Sequence, residues 1–297
     1  MLNKSNIYIQ EKIPGPIAEA WHNFRKNILA SVALIGLLVI IFLALASPLL
    51  VPYDPNFQHE NAYLVQPSWM EGGNPAFIFG TDDLGRDLFS RMLMGARLTL
   101  GSAFIATVVS LSLGLVLGIL TAIGPRLIST LFLRFMDMLL ATPSLLIAIL
   151  LTALFGATLF HATLAVAIAL TPHFGRNIHQ LLEEELAKPY VEAALLDVPN
   201  IFRNVFRSIF PNLFGRLAVQ MMLSFSIAVL DIAALGFLGL GASADSPDWG
   251  RLLSESLDYI QIAPWTVTLP GLAIFVTVLC INLIGQGLSQ ALDPEKY

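Results

Sequence analysis

Formal charge is scarce in this sequence: 12% of the 297 residues are Asp, Glu, Lys or Arg, against 56% hydrophobic residues. Soluble domains carry about 25% charge. A chain this poor in charge cannot cover a water-facing surface, and its mean hydropathy of +0.74 agrees. Its apolar side chains must therefore face lipid. Cysteine is almost absent; Cys280 alone excludes an internal disulfide. No lysine follows a glycine, so the phosphate-cradling loop G-x-x-x-x-G-K-[ST] is missing and ATP hydrolysis would need another chain. His173 and His179 fall on different faces of any helix, and His22, His59 and His161 are isolated, so no metal site is expected. Neither a catalytic triad signature nor a Lys/Arg cluster for nucleic acid is present. The first apolar run is too long for a signal-peptide core, and Ala46-Ser47-Pro48 is a poor cleavage context, which predicts an uncleaved anchor.

What is present is a series of long uncharged runs. A hydrocarbon core of ~30 Å takes roughly 20 residues of helix. Lys26 and Asp54 bracket a span predicted at Ile28–Leu50, and Arg97 and Arg126 one at Leu98–Ile123. The stretch from Met138 to Thr171 breaks near Gly156–Thr158, giving a helix at Leu131–Leu154 that contains Asp137 and another at Leu159–Phe174. A fifth is expected at Leu217–Leu240 around Asp231, and a sixth at Trp265–Leu288. The fold class is all-α, a polytopic membrane protein of about six transmembrane helices.

Loop charge orients it. With both termini inside, the cytoplasmic segments hold twelve Lys and Arg and the outside four: Arg86, Arg91, Arg97 and Arg251. Residues 1–27 form a cytoplasmic segment in which Ile17, Trp21, Phe24 and Ile28 share a helical stripe beside Arg25 and Lys26, as in a helix lying on lipid. Residues 28–50 are the first anchor, 51–97 an outer loop and helix, and 98–292 a core of the remaining spans with a cytoplasmic loop at 175–216; 293–297 are a cytoplasmic tail. The outer segments carry ten Asp and Glu against those four Arg, a mild bias toward cationic solutes.

Two carboxylates fall inside spans, where each costs about 2.5–3.5 kcal/mol at the centre. Asp137 follows Arg134 by three residues, which predicts an intrahelical pair. Asp231 has no charged neighbour between Arg216 and Asp245, and is either a solute-facing site in the pathway or a hydrogen-bonded buried acid. Gly114 and Gly118 form a GxxxG pair, read as packing, with a partner chain as one candidate neighbour.

In the outer segment, residues 80–91 read GTDDLGRDLFSR, with Gly95-Ala96-Arg97 after them. Thr81 or Asp82 is expected to cap a helix with Leu84, Leu88 and Met92 on one face. This stretch closely resembles the GTDxLGRDxxSRxxxGARxSL motif of the C-type permeases of dipeptide and oligopeptide ABC transporters. Downstream, residues 137–146 are similar to that family's D-x-L-L-A-x-P-S-L-L segment. Residues 234–241 and 246–250 are similar to its A-L-x-F-L-G-L-G and P-x-W-G segments. Among these C-type permeases the chain looks most like those of Sap-type peptide transporters.

The resemblance implies a type I importer permease fold in the bacterial inner membrane, and marks Gly80, Thr81, Asp82, Gly85, Arg86, Asp87 and Arg91 as the periplasmic motif. It implies as partners a homologous permease, two ATPase subunits that hold ATP and Mg, a periplasmic substrate-binding protein and membrane lipid. No cofactor is expected on this chain. Residues 192–211 resemble the family's EAA loop, which docks into the ATPase. The coupling residues would be Glu192, Ala193, Ala194, Asp197, Ile209 and Pro211. Small Ala193 and Ala194 permit close approach, and Glu192 offers charge to basic groups. Prolines at 189, 199 and 211 predict two short helices, Tyr190–Asp197 and Asn200–Ile209. Val198-Pro199 replaces the family glycine, so the turn between them must be made another way. Two other functions would use the same features: an ion-coupled secondary transporter built on Asp137 and Asp231, or a scaffold that binds ATPases without moving solute.

Overall fold

A computed structural model describes residues 16–191, 201–243 and 246–292. Among these, regular structure is helical apart from one isolated bridge between Thr81 and Asp87. Helix α1 (Pro16–Lys26) leads through Asn27 into α2 (Ile28–Leu50). Asn27 caps α2 by accepting from the Ala30 amide at 3.1 Å, and its Nδ2 donates to Gln290 at 2.8 Å. The α1 stripe divides: Phe24 is buried against Ala30 and Gly287, while Trp21 is 52% exposed.

Then come α3 (Leu88–Ile123), α4 (Arg126–Leu140), α5 (Ser144–Phe155) and α6 (Leu159–Leu186). A turn of helix at Ile201–Asn204 and a π-helical turn at Val205–Ile209 run directly into α7 (Phe210–Phe237). Helices α8 (Trp249–Ser256) and α9 (Trp265–Leu292) complete the set.

Four helices, α2, α3, α7 and α9, are long and apolar enough to cross a membrane, and the α4–α5 pair makes a fifth crossing if its halves count as one. The expected α2 boundaries hold. The helix expected over Leu131–Leu154 does not exist as one piece: α4 and α5 meet at 93°. Pro143 has no amide hydrogen and pushes Thr142 out of helical geometry, so the chain turns. Helix α6, expected to stop at Phe174, continues to Leu186.

Helix α6 is the centre of the bundle. One side packs along α3 and another against α5, and Ala162, Val166, Leu170 and Phe174 are fully buried. Gly114 and Gly118 of α3 face Phe174 and Ile178 of α6, where a β-carbon would collide. The GxxxG pair thus packs as expected, and its neighbour is α6 of the same chain rather than a partner. Helix α9 packs on α2 and α7. Lipid-facing surface remains around the rim, with Ile28, Leu29, Val32 and Ile35 of α2 all more than half exposed.

Candidate functional site

On one side of the bundle, residues 80–91 form a folded knot rather than the expected helix start. Gly80 and Gly85 have φ of +77° and +74°, and a β-carbon on either would strike a backbone carbonyl of Val65 or His59. Only glycine suits both places. Thr81 is fully buried and its hydroxyl accepts from the Val65 amide at 2.8 Å. Helix α3 is capped by Asp87, whose carboxylate accepts from the Ser90 amide at 2.8 Å. Asp82 is engaged elsewhere. One of its oxygens accepts from the amides of Leu84 and Arg86, and the other takes Arg86 Nε at 2.7 Å and Arg91. The expected cap therefore moves from Thr81 or Asp82 to Asp87, because Asp82 is committed to the arginines.

Two buried guanidiniums need more than one carboxylate. The second comes from Glu255 in α8, which accepts from Arg86 at 3.1 Å and Arg91 at 3.0 Å. Arg251, one turn earlier, donates to the other Glu255 oxygen at 2.9 Å. Burial by itself would raise the Glu255 carboxyl, but Arg251, Arg91 and Arg86 together hold it below the ordinary glutamate value. Trp249 completes the joint, with its amide on Thr99 Oγ1 at 3.1 Å and its indole on Met92 O at 3.0 Å. The 80–91 and 246–255 motifs are thus two halves of one assembly. Glu255 was not foreseen from sequence, because its two arginine partners in the first motif lie 164 and 169 positions away.

Between the two ends, Asp231 of α7 is 6% exposed and accepts from Ser144 Oγ at 2.9 Å. Ser144 opens α5, so the acid sits beside the α4–α5 break and the positive end of α5. This agrees with the hydrogen-bonded buried acid. Asp137 pairs with Arg176 of α6 at 3.4 Å, correcting the expected Arg134 pair. The reason is tertiary: α4 lies against α6, which presents Arg176.

At the far side of the bundle α6 and α7 converge. Val191, Val205, Ile209 and Leu213 are buried with Ile178, Leu181 and Leu182 in one apolar cluster. Ile209 is therefore a core residue, while Pro211 lies exposed in the first turn of α7. The expected break before Pro211 is absent. Instead the Phe210 amide reaches five residues back to Val205 O, and this π turn accommodates a proline that cannot donate to residue 207. Glu192, Ala193, Ala194, Asp197, and the Val198-Pro199 turn lie outside the described residues.

Flanking them, Glu185 is 4% exposed and accepts from Lys188 Nζ at 2.7 Å and from the Tyr190 hydroxyl at 2.6 Å. Asn212 Nδ2 donates to the same Tyr190 oxygen at 3.2 Å, and Arg216 donates to Glu184 at 2.9 Å. Sequence reasoning missed this network. Its one signal was Tyr190 beside the EAA-like stretch. No group of three metal-binding side chains occurs among the described residues.

Residues 114–296 match the family described as the binding-protein-dependent transport system inner membrane component, and residues 15–67 match the N-terminal transmembrane domain of oligopeptide transport permease C. The di/tripeptide transport system permease protein DppC of Pseudomonas aeruginosa is 44% identical over 95% of this chain and 93% of its own length. The peptide transport system permease protein SapC of Escherichia coli O6:H1 is 41% identical over 97% of each chain. The dipeptide transport system permease protein DppC of Haemophilus influenzae is 38% identical over 94% of this chain and 95% of its own. The resemblance extends across both motif regions, the broken α4–α5 pair and the α6–α7 convergence, and the chain belongs to the binding-protein-dependent transport permeases, multi-pass components of the inner membrane.

Proposed function

We propose that this chain is one of two permeases of an ATP-driven importer of peptides, moved by ATPase subunits that press on the segment between α6 and α7. The observation that carries this is the apolar cluster that gathers the two ends of that segment. Val191 before it and Val205, Ile209 and Leu213 after it are buried on α6. A force applied there is delivered to two long helices at once. Glu192, Ala193, Ala194 and Asp197 would form the contact, with Ile209 and Pro211 anchoring its far end. ATP and Mg belong to the ATPases.

In this reading both termini and the 190–212 region are cytoplasmic, and the Asp82–Arg91–Glu255 assembly is periplasmic, where a substrate-binding protein delivers solute. The peptide substrate is supported by the relatives, whose names specify dipeptides, di/tripeptides and peptides. Asp231 and Asp137 border the pathway at the α4–α5 break. An ion-coupled carrier built on these two acids is disfavoured, since Asp137 is paired with Arg176 and Asp231 is held by Ser144.

The test is co-purification with a second permease and the ATPases, followed by ATP hydrolysis in liposomes. The comparison is a variant with Glu192, Ala193 and Ala194 replaced by bulky basic residues. Wild type should carry the ATPases, and the variant should lose them or hydrolyse without transport. A chain that purifies alone and moves solute on a proton gradient would overturn the proposal.

A further inference from the structure

Tyr190 holds a position that packing alone does not explain. It stands at the entrance to the 192–200 segment, yet its hydroxyl faces a buried acid of α6 and the first turn of α7. It donates to Glu185 Oε1 at 2.6 Å and accepts from Asn212 Nδ2 at 3.2 Å. Glu185 closes the α6 side, 4% exposed and also holding Lys188. One phenolic oxygen thus ties the end of α6 to the start of α7 across the segment that joins them.

The apolar contact beneath is non-directional. Val191, Ile209 and Leu213 share one buried cluster with Leu182, and burial alone fixes no bond direction between them. A hydrogen bond from a hydroxyl to a carboxylate is short and directional, and resists sliding. The outer tie, Arg216 to Glu184, joins two side chains about half exposed or more and resists less.

We propose that Tyr190 is a positioning residue: it bolts α6 to α7 so that both move as one body when the 192–200 segment is displaced. This rests on the reading that an ATPase meets that segment. Without the bolt, displacement is absorbed by relative movement of the two helix ends, and hydrolysis proceeds without moving the spans.

Tyr190→Phe is the suitable variant because it removes one oxygen. Glu185 keeps Lys188, and Asn212 is solvent-exposed. Spin labels on cysteines replacing Glu183 and Phe214, both well exposed, report the α6–α7 distance by pulsed electron resonance. The full complex is measured in nanodiscs, without nucleotide and with ATP and vanadate. Before labelling, Cys280 is replaced by Ala. Wild type should give one narrow distance in both states. Tyr190→Phe should give that distance without nucleotide and a broadened or shifted one with it. Stimulation of hydrolysis by the loaded binding protein should fall about tenfold, the factor one hydrogen bond to a charged group supports. The conservative variant Asn212→Gln should recover part of the loss that Asn212→Leu produces. A Tyr190→Phe complex that matches wild type in both distance and stimulation overturns the bolt. If no ATPase accompanies even wild type, the coupling reading fails and takes the bolt with it.

Discussion

Arg91 and Glu255 are 164 residues apart in sequence and 3.0 Å apart in the fold. Arg91 is 1% exposed and lies between Glu255 and Asp82, with Arg86 completing a closed ring of two guanidiniums and two carboxylates. Removing one member of such a buried ring leaves an uncompensated charge, at a cost of about 3–5 kcal/mol. Glu255→Gln should lower the thermal midpoint in detergent by several degrees, and Arg91→Met should do so more strongly. A midpoint unchanged in both would show that the ring does not hold the 51–87 segment to α8.

The same ring makes a prediction about acid. The Glu255 carboxyl is held below its ordinary value of 4.5 by three arginines acting against burial. A depressed acid stabilises the fold above its unfolded value, and that contribution drains away as pH falls toward the folded one. Asp87 and Asp248 are shifted up by burial, so they oppose folding at neutral pH and are relieved on acidification. The stability advantage of wild type over Glu255→Gln should therefore be constant near neutrality and shrink below pH 4.5. Thermal midpoints of both proteins across that range check it; an advantage that grows on acidification would contradict the assignment.

This ring also shows where sequence reading stops. The membrane span was expected to begin at Leu98, after Arg97, with a separate capped helix before it, yet one helix runs unbroken from Leu88 to Ile123. A search for uncharged runs cannot know that Arg91 is neutralised by a residue 164 positions away. Where no such remote partner intervenes, as in α2, sequence and structure share both boundaries. Pro143 was visible, but the apolar composition runs straight through it, so only geometry reveals the 93° bend. In the candidate site, the motif residues of 80–91 were legible as a group. Their joint with α8, Asp137 with Arg176, and Tyr190 with Asn212 were not, because each depends on tertiary pairing.

The α3–α6 seam gives a packing prediction. A β-carbon at Gly118 would stand 2.6 Å from Ile178 Cγ2, and one at Gly114 would clash with Phe174. Gly118→Val should therefore cost about 1–3 kcal/mol through overpacking. The loss should appear in the thermal midpoint of this chain purified alone. A variant stable alone but unable to join the second permease would instead place the glycines at a contact between the two permeases.

Asp231 decides what the broken helix is for. Its carboxylate takes a hydrogen bond from Ser144, and no basic side chain balances it among the described residues. Asp231→Asn keeps an acceptor for Ser144 and removes the negative charge, so the break and the fold should survive. If Asp231 attracts solute, uptake of a lysine-containing peptide should fall about tenfold more than uptake of a neutral peptide of equal length, the scale of one charge-assisted bond. Asp231→Leu should injure both substrates equally, because it leaves the α5 start without its partner. Equal losses in the Asn variant would assign Asp231 to holding Ser144 and the α4–α5 bend, and remove it from recognition of charge.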